Sequence, residues 1–342
     1  MITKKHGRIF WTALAAMAIG IMGVPPAITA KQLVKVTIAE GMQPSVAPIY
    51  VAYHKGYWKE QGLDVHLKSF LTGKQCCDAM LAGKADAGTM APTPPAIAAF
   101  KGSSVRLITV IESTNNHLKV LVRKDQGIKK PSDLVGTTVA CTFKTNGQFF
   151  MNAFLKSKGV DIKNLRVVDL SPSEMTTAII QGKVQAIFTW EPHIILTKEM
   201  LGNEAEVWLG GDIYIQDFYL GVEEGFIQKY PHAVTGLLKG LIKAEKFIKE
   251  NPAAAIVITA PHVKMRTLEL QTIWKDYHFK ISLEKDHLDR LTKEGRRAQD
   301  YGIVPLNVPL PDFGKLFYPK PLAEIDPTRV RLDSIPISIE GR

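Results

Sequence analysis

The sequence predicts an α/β protein of two lobes, each built on a mostly parallel sheet flanked by helices. Strand-like and helix-like patterns alternate from residue 33 to residue 112. A second alternating series follows, of roughly 100 residues, which is the size of an independent lobe. After residue 226 the pattern turns to helices. Alternating β and α segments are the signature of parallel strands joined by crossover helices.

In the first series, residues 33–40 set Val34, Val36 and Ile38 against Leu33, Lys35 and Thr37, the period of two of a strand. After a break at 41–44, residues 46–62 carry Val46, Ile49, Tyr50, Tyr53 and Tyr57 at helical spacing, and Gly62 ends the helix. Residues 63–67 alternate as a strand, 76–84 form a short helix and 85–90 a strand. Residues 93–102 form a helix with Thr93 as N-cap and Pro94 in its first turn, and 104–112 a strand.

The second series starts near 117–125. Strands are expected at 137–143, 165–170 and 184–190, and helices at 146–159 and from 191. Ser171, Pro172 and Glu174 spell a capping box, with Ser171 as cap, Pro172 at the first helical position and Glu174 reaching back. Beyond residue 226, residues 231–251 place Val234, Leu237, Leu238, Leu241, Ile242 and Phe247 on one side of a long helix. Helices follow at 252–260, 267–277 and 283–302, and the proline-rich stretch from Pro305 lacks periodicity and reads as a wrapping tail.

The N-terminus has the layout of a secretory signal peptide: Lys4, Lys5 and Arg8, an apolar run, then small residues ending at Ala30, where cleavage is expected. That segment holds three basic residues and no acid, so its removal lowers the formal charge from +10 to +7. The remaining basic residues are spread out, which excludes a nucleic-acid face. Cys76, Cys77 and Cys141 are too few for a disulfide framework and lack zinc-site spacing, so they are expected as small buried hydrophobes. Residues 339–342, IEGR, match a protease-cleavage linker and read as a cloning remnant.

Catalytic and phosphate-binding motifs are missing: there is no G-x-S-x-G, no G-x-x-x-x-G-K-[ST] and no H-E-x-x-H. His117, His193 and His278 have no Cys or carboxylate at ligand spacing. No metal or cofactor is expected. What recurs is a strand end running into a helix start, at 41–45, 89–93, 142–148, 171–174 and 190–193. In open parallel sheets, ligands sit beyond the carboxyl ends of the strands, where helix N-termini offer free N–H groups to a small anion.

Four segments in order, APIYVAYHKGYWKEQGLDVHL, DAMLAGKADAGTMAPTP, PSDLVGTTVA and MTTAIIQGKVQAIFTWEPH, resemble the solute-binding proteins of ABC importers. The resemblance is to the nitrate/sulfonate/taurine branch, which includes carriers of thiamine-pyrimidine precursors, and it spans residues 33–305. It implies a type II periplasmic-binding-protein fold with a ligand cleft between the lobes and a hinge of two crossing strands, placed near 117–122 and 219–223. Lobe one is expected at 31–118 and 221–304, lobe two at 119–220, with a tail at 305–338 against lobe one.

Carried over position by position, the resemblance places ligand contacts at Gln43, Pro44 and Ser45, at Thr89, Met90 and Ala91, and at Asn115 and Asn116. In the second lobe it places them at Thr145, Asn146 and Gly147, at Trp190, Glu191 and Pro192, and at Asp217. IQDFYLGV resembles the stretch in taurine carriers where an Asp meets the ligand ammonium, which makes Asp217 a candidate. The acid those carriers add before the hinge strand is replaced here by His117 and Lys119, so a ligand without an amine fits as well. The expected function is an exported, periplasmic receptor, monomeric and not an enzyme, that hands a small anionic or aromatic solute to a membrane permease. A sulfonate is favoured, with nitrate, an aromatic carboxylate or a pyrimidine precursor as alternatives. A secreted enzyme using His117 or Cys141, and a sensor for a receptor kinase, are the rival readings. A pocket lined or regulated by the thiols is a further one.

Overall fold

The computed structural model describes residues 1–2 and 33–332. The expected signal peptide beyond its first two residues, its expected cleavage point, the end of the expected tail at 333–338 and residues 339–342 lie outside the described residues. Among the described residues no helix is long and apolar enough to cross a membrane.

The first series forms β1 (Val34–Gly41), α1 (Ala47–His54), β2 (Leu63–Phe70), α2 (Gly73–Leu81), β3 (Ala87–Met90), α3 (Thr93–Ala99) and β4 (Val105–Thr114). The chain then leaves through residues 115–117 and builds a second sheet. Its elements are β5 (Leu118–Arg123), β6 (Thr138–Cys141), α4 (Asn146–Ser157), β7 (Arg166–Asp169), α5 (Pro172–Ile180), β8 (Ala186–Trp190), α6 (His193–Leu201) and β9 (Ala205–Leu209). It returns through 210–215 as β10 (Gln216–Glu223), and α7 (Glu224–Lys229), α8 (Pro231–Glu250), α9 (Pro252–Thr259) and α10 (Thr267–Ile273) follow. The end comprises β11 (Leu283–Glu284), α11 (Lys285–Asp300), α12 (Lys320–Ile325) and β12 (Val330–Arg331).

The first sheet runs β2-β1-β3-β10-β4 and the second β7-β6-β8-β5-β9. In each, the early strands pair in parallel, β1 with β2 and β3, β6 with β7 and β8. One antiparallel strand interrupts each: β10 between β3 and β4, and β5 between β8 and β9. These strands come from the two crossings, so each enters its sheet from the opposite end. The alternation in the sequence shows the parallel core; the inserted strands depend on partners far along the chain, Leu118 on Trp190 and Gln216 on Thr114, and leave no local mark.

Several expectations are corrected. The return strand begins at Gln216, so residues 216–220 belong to the first sheet and the second crossing is 210–215, several residues before 219–223. β9 was not anticipated, because AEVWL has a mixed pattern and an exposed outer face. α2 begins at Gly73 rather than Cys76, under a capping box of Thr72 and Gln75. Thr93 does not cap α3; Pro92 takes that position, and the Thr93 hydroxyl donates to Glu294 of α11 at 2.8 Å. The tail contains α12 and β12 and sends Phe313, Leu316, Phe317 and Leu322 into the core of the first lobe. Residues up to 304 do not stay with lobe one: Ala298 and Val304 join the core of the second lobe, with Tyr301, Ile303 and Val308 packed against it.

The long helix α8 buries Val234, Leu237, Leu238 and Leu241 on the first sheet, as the period of its apolar residues requires. Trp58 is buried beneath it and donates its indole N–H to Leu237 O at 3.0 Å. Gly240 makes this close approach possible: a Cβ there would lie 2.2 Å from Trp58 Cδ1. A buried ring cannot step aside as a flexible chain end can. Gly240→Ala is therefore expected to cost about 1–3 kcal/mol net in a urea unfolding curve, although alanine is the better helix former. A stabilised variant would show that the two elements are less tightly packed.

Glu112 lies in β4 opposite Phe218, fully buried, and neither carboxylate oxygen has a hydrogen-bond partner. The Ser45 hydroxyl faces it without closing a bond of standard geometry. Burial is the main cause that raises its pKa well above the ordinary 4.5, and the Asp217 charge adds to the rise. The folded chain thus holds a proton that the unfolded chain releases above about pH 4.5, so Glu112 costs stability as pH rises towards its folded pKa. Glu112→Gln, neutral at every pH, is expected to gain on the parent between pH 5 and 8 by up to about 1.4 kcal/mol per pH unit. A stability difference independent of pH would show that Glu112 is ionised in the fold.

Candidate functional site

The carboxyl ends of β1, β3 and β8 and the N-termini of α2 and α4 converge where the lobes face each other. A small cavity lies there, with Gln43, Thr72, Gly73, Lys74, Ala91 and Pro94 on the first lobe and Thr145, Asn146 and Trp190 on the second. Phe218 of β10 forms its floor. Its volume, about 10 Å³, is room for one water-sized sphere. The walls are therefore drawn together, and a solute larger than water requires the lobes to part.

Local chemistry explains how each wall is held. Thr145 ends its strand-to-helix loop in extended conformation, accepts from Gly147 N at 3.2 Å and donates to Thr142 O at 2.7 Å. This caps α4 and aims its N-terminal N–H groups at the cavity. Gly147 lets Trp190 lie against that helix end, since a Cβ would sit 3.2 Å from the Trp190 ring and 3.3 Å from Phe188 O. On the other side, a Cβ on Gly73 would sit 3.1 Å from Met90 Cα and 3.3 Å from Ala91 N, so α2 starts hard against the end of β3. Among the lining side chains Lys74 alone carries a charge, and it pairs with Asp78 one turn along α2.

The structure brings together five of the residues expected at the site: Gln43, Ala91, Thr145, Asn146 and Trp190. The others stand behind them or elsewhere. Gly147 backs Trp190. Pro44 and Ser45 are buried in the turn after β1. Thr89 accepts from Gly41 N at 3.1 Å and ties β3 to the end of β1, while Met90 is core. Asn115 donates to Asp212 at 3.0 Å and Asn116 to Asp276 at 2.7 Å, so both brace the crossings. Glu191, beside Pro192, is bound by Lys119 Nζ at 2.7 Å and by Ile195 N at 3.0 Å.

Asp217 does not reach the cavity. It is fully buried and gripped by Arg290 from two nitrogens, at 2.7 and 2.8 Å, with Ser113 Oγ at 2.7 Å. Its charge is matched inside the protein, and it is not placed to meet an ammonium group. Its neighbour Phe218 points the other way, to the cavity, as alternation along a strand requires.

Thr72, Gly73, Lys74, Pro94 and Phe218 were not anticipated. For the first three a signal existed: Thr72 and Gln75 have capping-box spacing, directly after the strand that runs to Phe70. Reading the strand as ending at residue 67 hid that junction.

Burial holds the three thiols, His117 and His193 each in its neutral form. Cys76, Cys77 and Cys141 are free and buried, and burial pushes all three thiols up, Cys77 to about 12. His117 has both ring nitrogens engaged, Nε2 with Gln43 and Nδ1 with the Tyr277 hydroxyl, each at 2.9 Å. Burial, helped by the charges of Lys119 and His193, pulls its pKa to about 3. Burial pulls that of His193 to about 4.

Comparison with known proteins agrees with this architecture. Residues 43–255 match the family described as NMT1/THI5 like. A binding protein of Brucella abortus (strain 2308) is 26% identical over 248 residues, 72% of this chain and 75% of its own. The taurine-binding periplasmic protein of Escherichia coli (strain K12) is 27% identical over 229 residues, 65% of this chain and 68% of its own. Among solved structures, the alkanesulfonate-binding protein SsuA from Xanthomonas axonopodis pv. citri, bound to MOPS, superposes with a TM-score of 0.73 at 15% identity, covering 85% of this chain and all of that one. The fold is that of the two-lobed periplasmic binding proteins, and the chain belongs to the NMT1/THI5-like family.

Proposed function

We propose that the chain is an exported solute-binding receptor that captures a small organic anion between its lobes and delivers it to the permease of an ABC importer. The observation that carries this is the cavity itself. Two capped helix N-termini and one lysine supply positive potential, and Trp190, Phe218, Ala91 and Pro94 supply apolar wall. That combination fits a charged head on a short apolar or aromatic body, as in an alkyl- or arylsulfonate or a carboxylate. Asp217 offers no counter-charge for an amine, being matched by Arg290, so a solute without an ammonium group is favoured over taurine. The names of the relatives, binding proteins for taurine and alkanesulfonates, support the same class.

The mechanism is closure about the two crossings at 115–117 and 210–215, with solute stabilising the closed form that the permease recognises. Turnover is not needed: the buried, protonated thiols and the doubly engaged His117 provide neither nucleophile nor base.

A thermal-shift panel on protein refolded to strip carried solute tests this reading. The panel holds alkyl- and arylsulfonates, aromatic carboxylates, nitrate, taurine and pyrimidines. A solute at a hundredfold its Kd adds about 2.7 kcal/mol, a rise of several degrees. Trp190→Ala is expected to abolish the shift and Lys74→Ala to weaken affinity for the anion roughly tenfold. Asp217→Ala is expected to act differently: it strands the Arg290 charge and lowers the melting temperature of the solute-free protein. A shift from pyrimidines alone, indifferent to Lys74, would overturn the anion assignment.

A further inference from the structure

Gln43 stands in the cavity wall with its amide tied backwards, to His117 Nε2 at 2.9 Å, and His117 Nδ1 in turn meets the Tyr277 hydroxyl at 2.9 Å. All three side chains are buried. Heavy-atom positions do not distinguish the nitrogen and oxygen of an amide or the tautomers of an imidazole, so the supply of hydrogens must decide.

Two settings are self-consistent. In the first, Tyr277 O–H donates to Nδ1, Nε2–H donates to the Gln43 oxygen, and the Gln43 NH2 is left for the cavity. In the second, each donor and acceptor exchange: Nδ1–H donates to the phenol oxygen, the Gln43 NH2 donates to Nε2, and the amide oxygen faces the cavity. The second setting strands the Tyr277 proton, because His117 is the hydroxyl's hydrogen-bond partner among the described residues. A buried O–H without an acceptor is costly. The first strands no hydroxyl, and it leaves the amide nitrogen of a cavity-lining residue, which donates to no group among the described residues, for a solute.

We propose that His117, held as the Nε2–H tautomer by Tyr277, is a positioning residue that turns the Gln43 NH2 towards the solute. The cavity then selects a solute presenting an acceptor oxygen at that wall, as a sulfonate or carboxylate does, and disfavours one presenting a donor. This deepens the receptor reading and rests on the cavity being the solute site. The surroundings keep the setting stable. Burial and the charge of Lys119 oppose a second proton on His117. Burial, with the charges of Glu191 and Asp276, holds the proton on Tyr277.

Two measurements on the full chain test it. Nitrogen-15 NMR of labelled histidine is expected to show His117 with hydrogen on Nε2 and a bare Nδ1 from pH 5 to 8. Hydrogen on Nδ1 would overturn the assignment whatever the protein binds. Calorimetric titration with ethanesulfonate and benzenesulfonate then follows the function. Tyr277→Phe frees the tautomer and Gln43→Met removes the donor, so each is expected to weaken the bound sulfonate roughly 10- to 100-fold. The double variant is expected to lose no more than Gln43→Met alone, because the first change acts through the second. Additive losses, or an unchanged affinity in Tyr277→Phe, would refute the positioning role. If neither sulfonate binds the parent chain while Nε2 carries the hydrogen, the ligand class fails and the relay stands.

Discussion

The pairing of β10 with β3 and β4 is the constraint on which the rest of the molecule depends. Among the described residues β10 is the one strand of the first sheet that arrives from the second lobe, and it is inserted between β3 and β4 rather than added at an edge. Both connections between the lobes therefore emerge side by side from β4 and β10, and Asn115 bonds Asp212 across the gap between them. One face of β10 presents Phe218 to the cavity; the preceding residue, Asp217, locks α11 through Arg290. Site floor, hinge and helix anchor are set by three successive features of one strand.

Among the described residues, the charged side chains buried beside this strand stand in closed pairs, and one buried carboxyl does not. Lys119 with Glu191 and Arg290 with Asp217 each match a charge within the protein. Such pairs add little net stability over apolar packing, but removing one partner is severe, which confines the sequence to this arrangement. Glu112 is the exception, a carboxyl without a partner that stays neutral by keeping its proton. The hinge region is thus polar in composition while remaining almost uncharged on balance, and closure does not require charges to be stripped of water each time.

What the sequence reveals follows the range of the forces involved. The capping box at Ser171, Pro172 and Glu174 was legible because all its partners lie within four residues, and the structure forms it as written. The apolar face of α8 was legible for the same reason. The mixed character of the two sheets was not, since nothing local distinguishes an edge strand from one inserted between distant neighbours. Trp190, Thr145 and Gln43, which line the cavity, are legible as residues that follow strands at recognisable junctions. Asp217 was misjudged because its partner, Arg290, lies 73 residues away. Lys74 was missed through a strand end set three residues short.

The segment beyond α11 carries a consequence of its own. Val304 is buried in the core of the second lobe and Tyr301 packs edge-on to Phe149, although the helix that delivers them is anchored in the first lobe. Parting the lobes must either peel this apolar seam from its seat or drag the segment along, so the resting protein is weighted towards being shut. Entry then waits on rare excursions, and association is slower than free diffusion would allow. In the proposed receptor, the same weighting slows escape, so a captured solute would be retained during a long search for the membrane partner. Release is thereby left to that partner, which must supply the work of prising the seam apart.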